Sequence, residues 1–172
     1  MRLKSCILTI FTALAIGVTA LAVAPLAANA EAPPAPEGPV VLVVDGAIGP
    51  VEMDMAGLKT LPRAEFSTTT LWTSGVTEFA GVRLSDLLAA VGAEGGGMLT
   101  ATALNDYKVE IPVSDASPDG PIVAYEMDGA AMSVREKGPL WIVYPYDSDS
   151  RFQTEEIYSR SIWQLTRITI DD

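Results

Sequence analysis

Phe79-Ala80-Gly81-Val82-Arg83-Leu84-Ser85-Asp86-Leu87-Leu88 carries the clearest periodicity in the chain. Val82, Leu84, Leu87, Leu88 and Val91 fall on one helical face, Ser85 is available as a cap, and Gly92 supplies a stop. The run Gly95-Gly96-Gly97 follows this helix instead of preceding one, so it reads as a connection and not as a phosphate cradle.

On either side of the helix the pattern is mostly strand. Upstream, Val40 to Val44 is a β-branched run closed by Asp45-Gly46, with a second short strand around Val51 to Met53. Met55 to Leu61 suits a short helix stopped by Pro62, and Phe66 to Trp72 is a Thr- and aromatic-rich strand broken by Ser74-Gly75. Downstream, strands are expected at Leu99 to Ala103, Lys108 to Ile111, Ile122 to Met127 and Leu140 to Tyr144. Ile162 to Ile170 alternates with a period of two, and residues 147 to 160 read as polar and irregular. Many short strands with few helices imply a β-dominated α+β domain over residues 40–172, a mixed sheet with barrel-like character.

The chain has 172 residues, 11 Lys+Arg against 22 Asp+Glu, no histidine and a single cysteine, Cys6. Its opening follows the grammar of a secretory signal: Arg2 and Lys4, an apolar run from about Ile7 to Leu26, then Ala28-Asn29-Ala30. Cleavage is expected after Ala30, with an uncleaved anchor as the alternative; either leaves the domain exported, in the periplasm. Residues 31–39 hold four prolines and read as an extended linker. Loss of residues 1–30 leaves 9 basic against 22 acidic residues, which disfavours nucleic acid and, after cleavage, direct membrane binding. Without histidine or mature cysteine, Ser-His-Asp and Cys-His nucleophiles, ordinary zinc sites and thiol redox chemistry are excluded. Oxygen-ligand metals, carboxylate acid/base pairs and plain binding remain.

Phe79 to Leu88, then Asn105-Asp106-Tyr107-Lys108-Val109-Glu110-Ile111-Pro112, Tyr125 to Gly129, Gly138-Pro139-Leu140-Trp141 and Ser161 to Ile168 together resemble the sulfite-oxidase-like molybdopterin-binding family in order and spacing. The resemblance covers about Val40 to Ile170. It implies that family's fold and a pterin or molybdopterin/molybdenum cofactor. Catalytic members carry a cysteine, a molybdenum ligand, in the loop corresponding to Thr70-Leu71-Trp72-Thr73-Ser74-Gly75; here Thr73 stands in its place. A neutral hydroxyl is a poor substitute for a soft thiolate. Small exported members resemble pterin-binding signalling proteins, whose partner is a membrane-bound cyclic-di-GMP enzyme with a periplasmic sensing region. The resemblance therefore implies a non-catalytic pterin-binding protein. A molybdopterin-dependent oxidoreductase without a protein thiolate, or an interaction domain with an empty pocket, are the alternatives.

A pterin would need flat faces to stack on and polar groups at its pyrimidine edge. Trp72, Tyr107, Trp141 and Trp163 are the stacking candidates, although Trp141 and Trp163 also suit core packing. Asp106 can accept from the edge donors or close an Asx turn, and Asn105 can meet the carbonyl or bond its own backbone. Arg160 can donate to the ligand or pair with Glu155 or Glu156. Asp147-Ser148-Asp149-Ser150 fails as an EF-hand, since positions five and twelve would be Arg151 and Tyr158.

Overall fold

A computed structural model describes residues 33–46, 49–93 and 97–171; the proposed signal segment lies outside them. In chain order the elements are β1 (Val40–Gly46), β2 (Gly49–Asp54), α1 (Met55–Leu58), β3 (Arg63–Thr69), β4 (Val76–Arg83), α2 (Leu84–Ala90), β5 (Met98–Ala103) and β6 (Lys108–Pro112). They continue with β7 (Ile122–Met127), β8 (Ala130–Ala131), β9 (Trp141–Val143), α3 (Glu155–Arg160) and β10 (Leu165–Asp171).

Two open sheets hold the strands. One runs β2-β1-β10-β5-β6; the other runs β3-β4-β7-β8, with β9 also pairing β7. β1 and β10 are parallel, Val43 opposite Arg167, while the other pairs are antiparallel, so the first sheet is mixed. The first sheet ends in β2 and β6 and the second in β3 and, beyond β7, in β8 and β9, so among the described residues neither closes into a barrel. The β-dominated α+β reading is thus met by two packed layers. Their shared core includes Leu42, Val44 and Leu99 from one sheet and Phe79, Val123 and Ile142 from the other.

Several expectations shift for physical reasons. The quoted helix begins later than its periodicity, because Val76 to Val82 pairs with β3 and Arg83 with β7. Gly81 is needed there: a Cβ would lie 2.1 Å from the Val123 carbonyl oxygen, at the bulge where β4 meets β7. Ser85 lies inside α2 and does not cap it; Arg83 occupies the cap with no side-chain bond, and Gly92 ends the turn at φ +66°. The alternation expected in β10 is broken by a register shift between Leu165 and Arg167. The segment read as irregular contains α3, whose Thr154 hydroxyl accepts from the Ile157 N–H at 3.3 Å. Glu155 and Glu156 in its first turn and Arg160 in its last complement the helix dipole.

The end of the proline-rich stretch is tied to the body. Asp54 is 6% exposed and accepts from the backbone N–H groups of Gly57, Gly38 and Glu37 at 2.7, 2.8 and 3.0 Å. These bonds, Gly57's foremost, hold its carboxyl below the usual aspartate range.

Candidate functional site: an aromatic cavity at one end of the sheets

Three segments meet at one end of the molecule: the loop after β3, the β5–β6 turn, and the stretch joining α3 to β10. They enclose a cavity of about 370 Å³ lined by Trp72, Ala103, Asn105, Tyr107, Tyr158, Ser159, Ser161, Ile162 and Trp163. That size lies at the small end of the roughly 300–1,000 Å³ typical of small-molecule sites.

Local chemistry sets each wall. In the loop after β3, the Thr70 hydroxyl oxygen accepts from the backbone N–H groups of Trp72 and Thr73 at 3.0 and 2.9 Å, curling the chain so that the indole turns inward. Thr73 completes this knot, its hydroxyl 2.8 Å from that of Thr70. In the β5–β6 turn, the Asn105 side-chain oxygen accepts from the Tyr107 N–H at 3.2 Å, and Asp106 sits at φ +64°. The third wall is fixed to β9. The Ile142 N–H donates to the Ile162 carbonyl at 2.9 Å, Trp141 bridges Trp163, and the Trp141 indole N–H donates to the Ser161 carbonyl at 3.3 Å.

Trp72 is the hub of the aromatic lining. Its ring centroid lies 5.8 Å from those of Trp141 and Trp163, 6.2 Å from Tyr158 and 6.4 Å from Tyr146, all edge to face. Such edge-to-face pairs add about 0.5–1.5 kcal/mol each beyond their area burial and so hold the lining rings in place. Trp163 is 39% exposed and Tyr107 55%, so the mouth is partly apolar; Trp141 is fully buried beneath them.

Of the residues expected at the site, Trp72, Asn105, Tyr107 and Trp163 line the cavity. Trp141 packs below it against Phe79, centroids 5.3 Å apart. Thr73 supports the loop through Thr70. Asp106 borders a different, polar groove with Thr100, Thr102 and Lys108, because its left-handed backbone directs it away from Asn105 and Tyr107. Arg160 is held by Asp115 at 3.0 Å and by Glu156, its side chain only 13% exposed. Sequence reasoning overlooked Tyr158, Ser159, Ser161 and Ile162, all on or just after α3. Thr154 followed by two glutamates was the available signal for that helix.

A family model described as an oxidoreductase molybdopterin binding domain matches residues 39–148. The chain belongs to that family. Among solved structures, the chain is similar to the sulfane dehydrogenase SoxCD from Paracoccus pantotrophus, at 23% identity and a TM-score of 0.59. The similarity covers 76% of this chain and 38% of the SoxCD chain, so this chain spans well under two thirds of its length and the likeness is one of fold. No curated protein matches the chain. This is a molybdopterin-binding oxidoreductase-type domain of the sulfite-oxidase fold.

The residues present suit one part of that family's cofactor and not the other. The ring faces of Trp72, Tyr107, Tyr158 and Trp163 suit a bicyclic pterin. The metal lacks a soft protein donor: the sequence has no histidine, its one cysteine is Cys6, and the Thr73 hydroxyl is engaged by Thr70. Among the described residues no cationic side chain lines the cavity to meet a cofactor phosphate, although the Lys137 ammonium lies over the Trp163 ring at 6.0 Å. A complete metal-bearing cofactor does not fit this donor set.

Proposed function

We propose that this domain binds a free, uncharged pterin in the aromatic cavity, is non-catalytic, and is exported to the periplasm. There its occupancy is relayed to the periplasmic region of an inner-membrane cyclic-di-GMP enzyme. The observation that carries the binding reading is the cavity lining itself: ring faces and neutral polar groups, with no charged side chain and no thiolate. Anionic cofactors would meet no counter-charge among the lining residues, whereas a neutral ring loses little on desolvation. The acidic surface suits a basic face on the partner, and that association would weaken with salt.

The test is to purify the full chain as exported by its native host, denature it, and assay the released material for pterin fluorescence and molybdenum. Pterin without metal supports the binding protein. Titration with pterin should quench the indole fluorescence, and Trp72→Ala should weaken binding about 5- to 150-fold, the equivalent of about 1–3 kcal/mol for one stacked ring. The second reading, a molybdopterin-dependent oxidoreductase, draws support from the family match; stoichiometric molybdenum with molybdopterin would establish it and overturn the first.

A further inference from the structure

The aromatic lining does not stop at the cavity. Trp163, at the mouth, lies 5.8 Å from Trp72, and Trp72 lies 6.4 Å from Tyr146. Tyr146 in turn lies 6.4 Å from Tyr144, centroid to centroid. Tyr144 and Tyr146 are both almost wholly buried. The Tyr144 hydroxyl donates to the Asp115 carboxylate at 2.8 Å, and the Arg160 guanidinium donates to the same oxygen at 3.0 Å. A run of oxidisable rings thus leads from a solvent-accessible indole through the interior, and its last phenol is bonded to a carboxylate that can take its proton.

We propose that this run is a relay for oxidising equivalents, carrying an electron vacancy from the cavity to Tyr144. The proposal rests on the pterin reading for its oxidant, an electronically excited, fully oxidised pterin. Bound in the cavity, such a ring would supply the oxidant, and the Trp72 or Trp163 indole would give up one electron to it. The indole vacancy is refilled by an electron from Tyr144, with the Tyr146 ring as the bridge. As that electron leaves, the Tyr144 O–H bond breaks and its proton passes to Asp115. Tyr144 is left as a neutral tyrosyl radical and Asp115 as a carboxylic acid: one electron passes to the oxidant and one proton to Asp115. Burial of Tyr144 requires some partner for its hydroxyl, and that the partner is a carboxylate makes it a proton acceptor as well. Asp115 acts as a positioning residue for that proton, and Arg160 holds its oxygen in line. The relay would move damaging oxidation away from the binding residues.

Laser-flash transient absorption on the full chain with bound pterin tests this. A tryptophanyl signal should decay into a tyrosyl signal. Tyr144→Phe should cut the tyrosyl yield several-fold and prolong the tryptophanyl lifetime, while Tyr125→Phe, a core change outside the run, should alter neither. Asp115→Asn, which retains an acceptor oxygen but is a far weaker base, should slow the tyrosyl rise. An unchanged tyrosyl yield in Tyr144→Phe overturns the relay. A parallel experiment uses tris-bipyridyl ruthenium(III) generated by flash-quench, which oxidises the exposed Trp163 without any pterin. If ruthenium produces the Tyr144 radical while pterin neither binds nor does so, the relay stands and the pterin reading falls. If pterin binds and neither oxidant produces the radical, the relay falls alone.

Discussion

Asp147 accepts two hydrogen bonds from Thr69, one from its backbone N–H at 2.6 Å and one from its hydroxyl at 2.7 Å. Its own N–H donates to the Thr68 hydroxyl oxygen at 3.1 Å. The segment after β9 is thereby clamped to the end of β3, next to Thr70 and the loop that presents Trp72. The Thr69 backbone bond, ahead of the hydroxyl bond, holds the Asp147 carboxyl below the usual range. Asp147→Ala should weaken pterin binding about fivefold for each hydrogen bond's worth of loop order lost, although Asp147 does not line the cavity. Indole-quenching titration measures it. Because the folded pKa is depressed, the clamp's contribution is complete above the unfolded value of about 3.9 and is lost as pH falls through the folded one. Unaltered affinity in Asp147→Ala would mean that Thr70 alone fixes the loop.

Trp163 separates stacking from mere bulk. Trp163→Ala is expected to weaken binding about 5- to 150-fold, while Trp163→Phe retains a ring face and should recover most of that loss. Thermal unfolding should change little in either variant, because the residue sits at the cavity mouth with 39% of its surface exposed. Equal losses for Ala and Phe would show that the indole contributes something other than a stacking face.

Asp106 gives the opposite test. Its φ of +64° is one that glycine adopts without strain, and its side chain borders the separate polar groove. Asp106→Gly should leave pterin affinity unchanged and cost no more than about 1 kcal/mol of stability in either direction. A large loss of affinity would return its carboxylate to the pyrimidine edge of the ligand.

Burial pushes the Tyr146 phenol up to about 12, and it pushes Tyr144 higher still, with the neighbouring Asp115 charge adding to the effect. A raised folded pKa stabilises the fold fully below the unfolded value of about 10; that contribution is lost as pH rises towards the folded value, because the unfolded chain ionises first. Urea midpoints should therefore fall steeply above about pH 10. Tyr146→Phe should flatten that decline by up to about 3 kcal/mol while costing about 1 kcal/mol at neutral pH for the lost bond to Ser161. A pH profile identical to that of the parent would show that Tyr146 ionises equally in both states.

Local pattern revealed the strands best where tertiary packing reinforced it. Ile122 to Met127 occupies the expected span because each end carries its own punctuation, Pro121 before and Asp128-Gly129 after. β4 was hidden because Val82 and Leu84 satisfy a helical face equally well, and only pairing with β3 and β7 decides between the two. Trp72, Tyr107 and Trp163 stood out as ligand candidates because large aromatic residues at turns and strand ends are few in this chain. Asp106 and Arg160 were harder to place. One depends on a left-handed backbone angle and the other on Asp115, 45 positions away. Neither relation is written in local sequence.

β10 lies at the centre of its sheet, with β1 on one side and β5 on the other, yet it is the latest of the described strands in the chain. Until residues 165–171 are available, β1 and β2 form only a hairpin with no partner strand beyond it. Assembly of that sheet therefore waits for β10, and until then β1–β2 keeps an unsatisfied edge. A nascent chain halted before Leu165 would present that edge to chaperones or to other chains. Deletion of residues 165–171 should consequently abolish folding outright instead of trimming stability, because it removes a central strand.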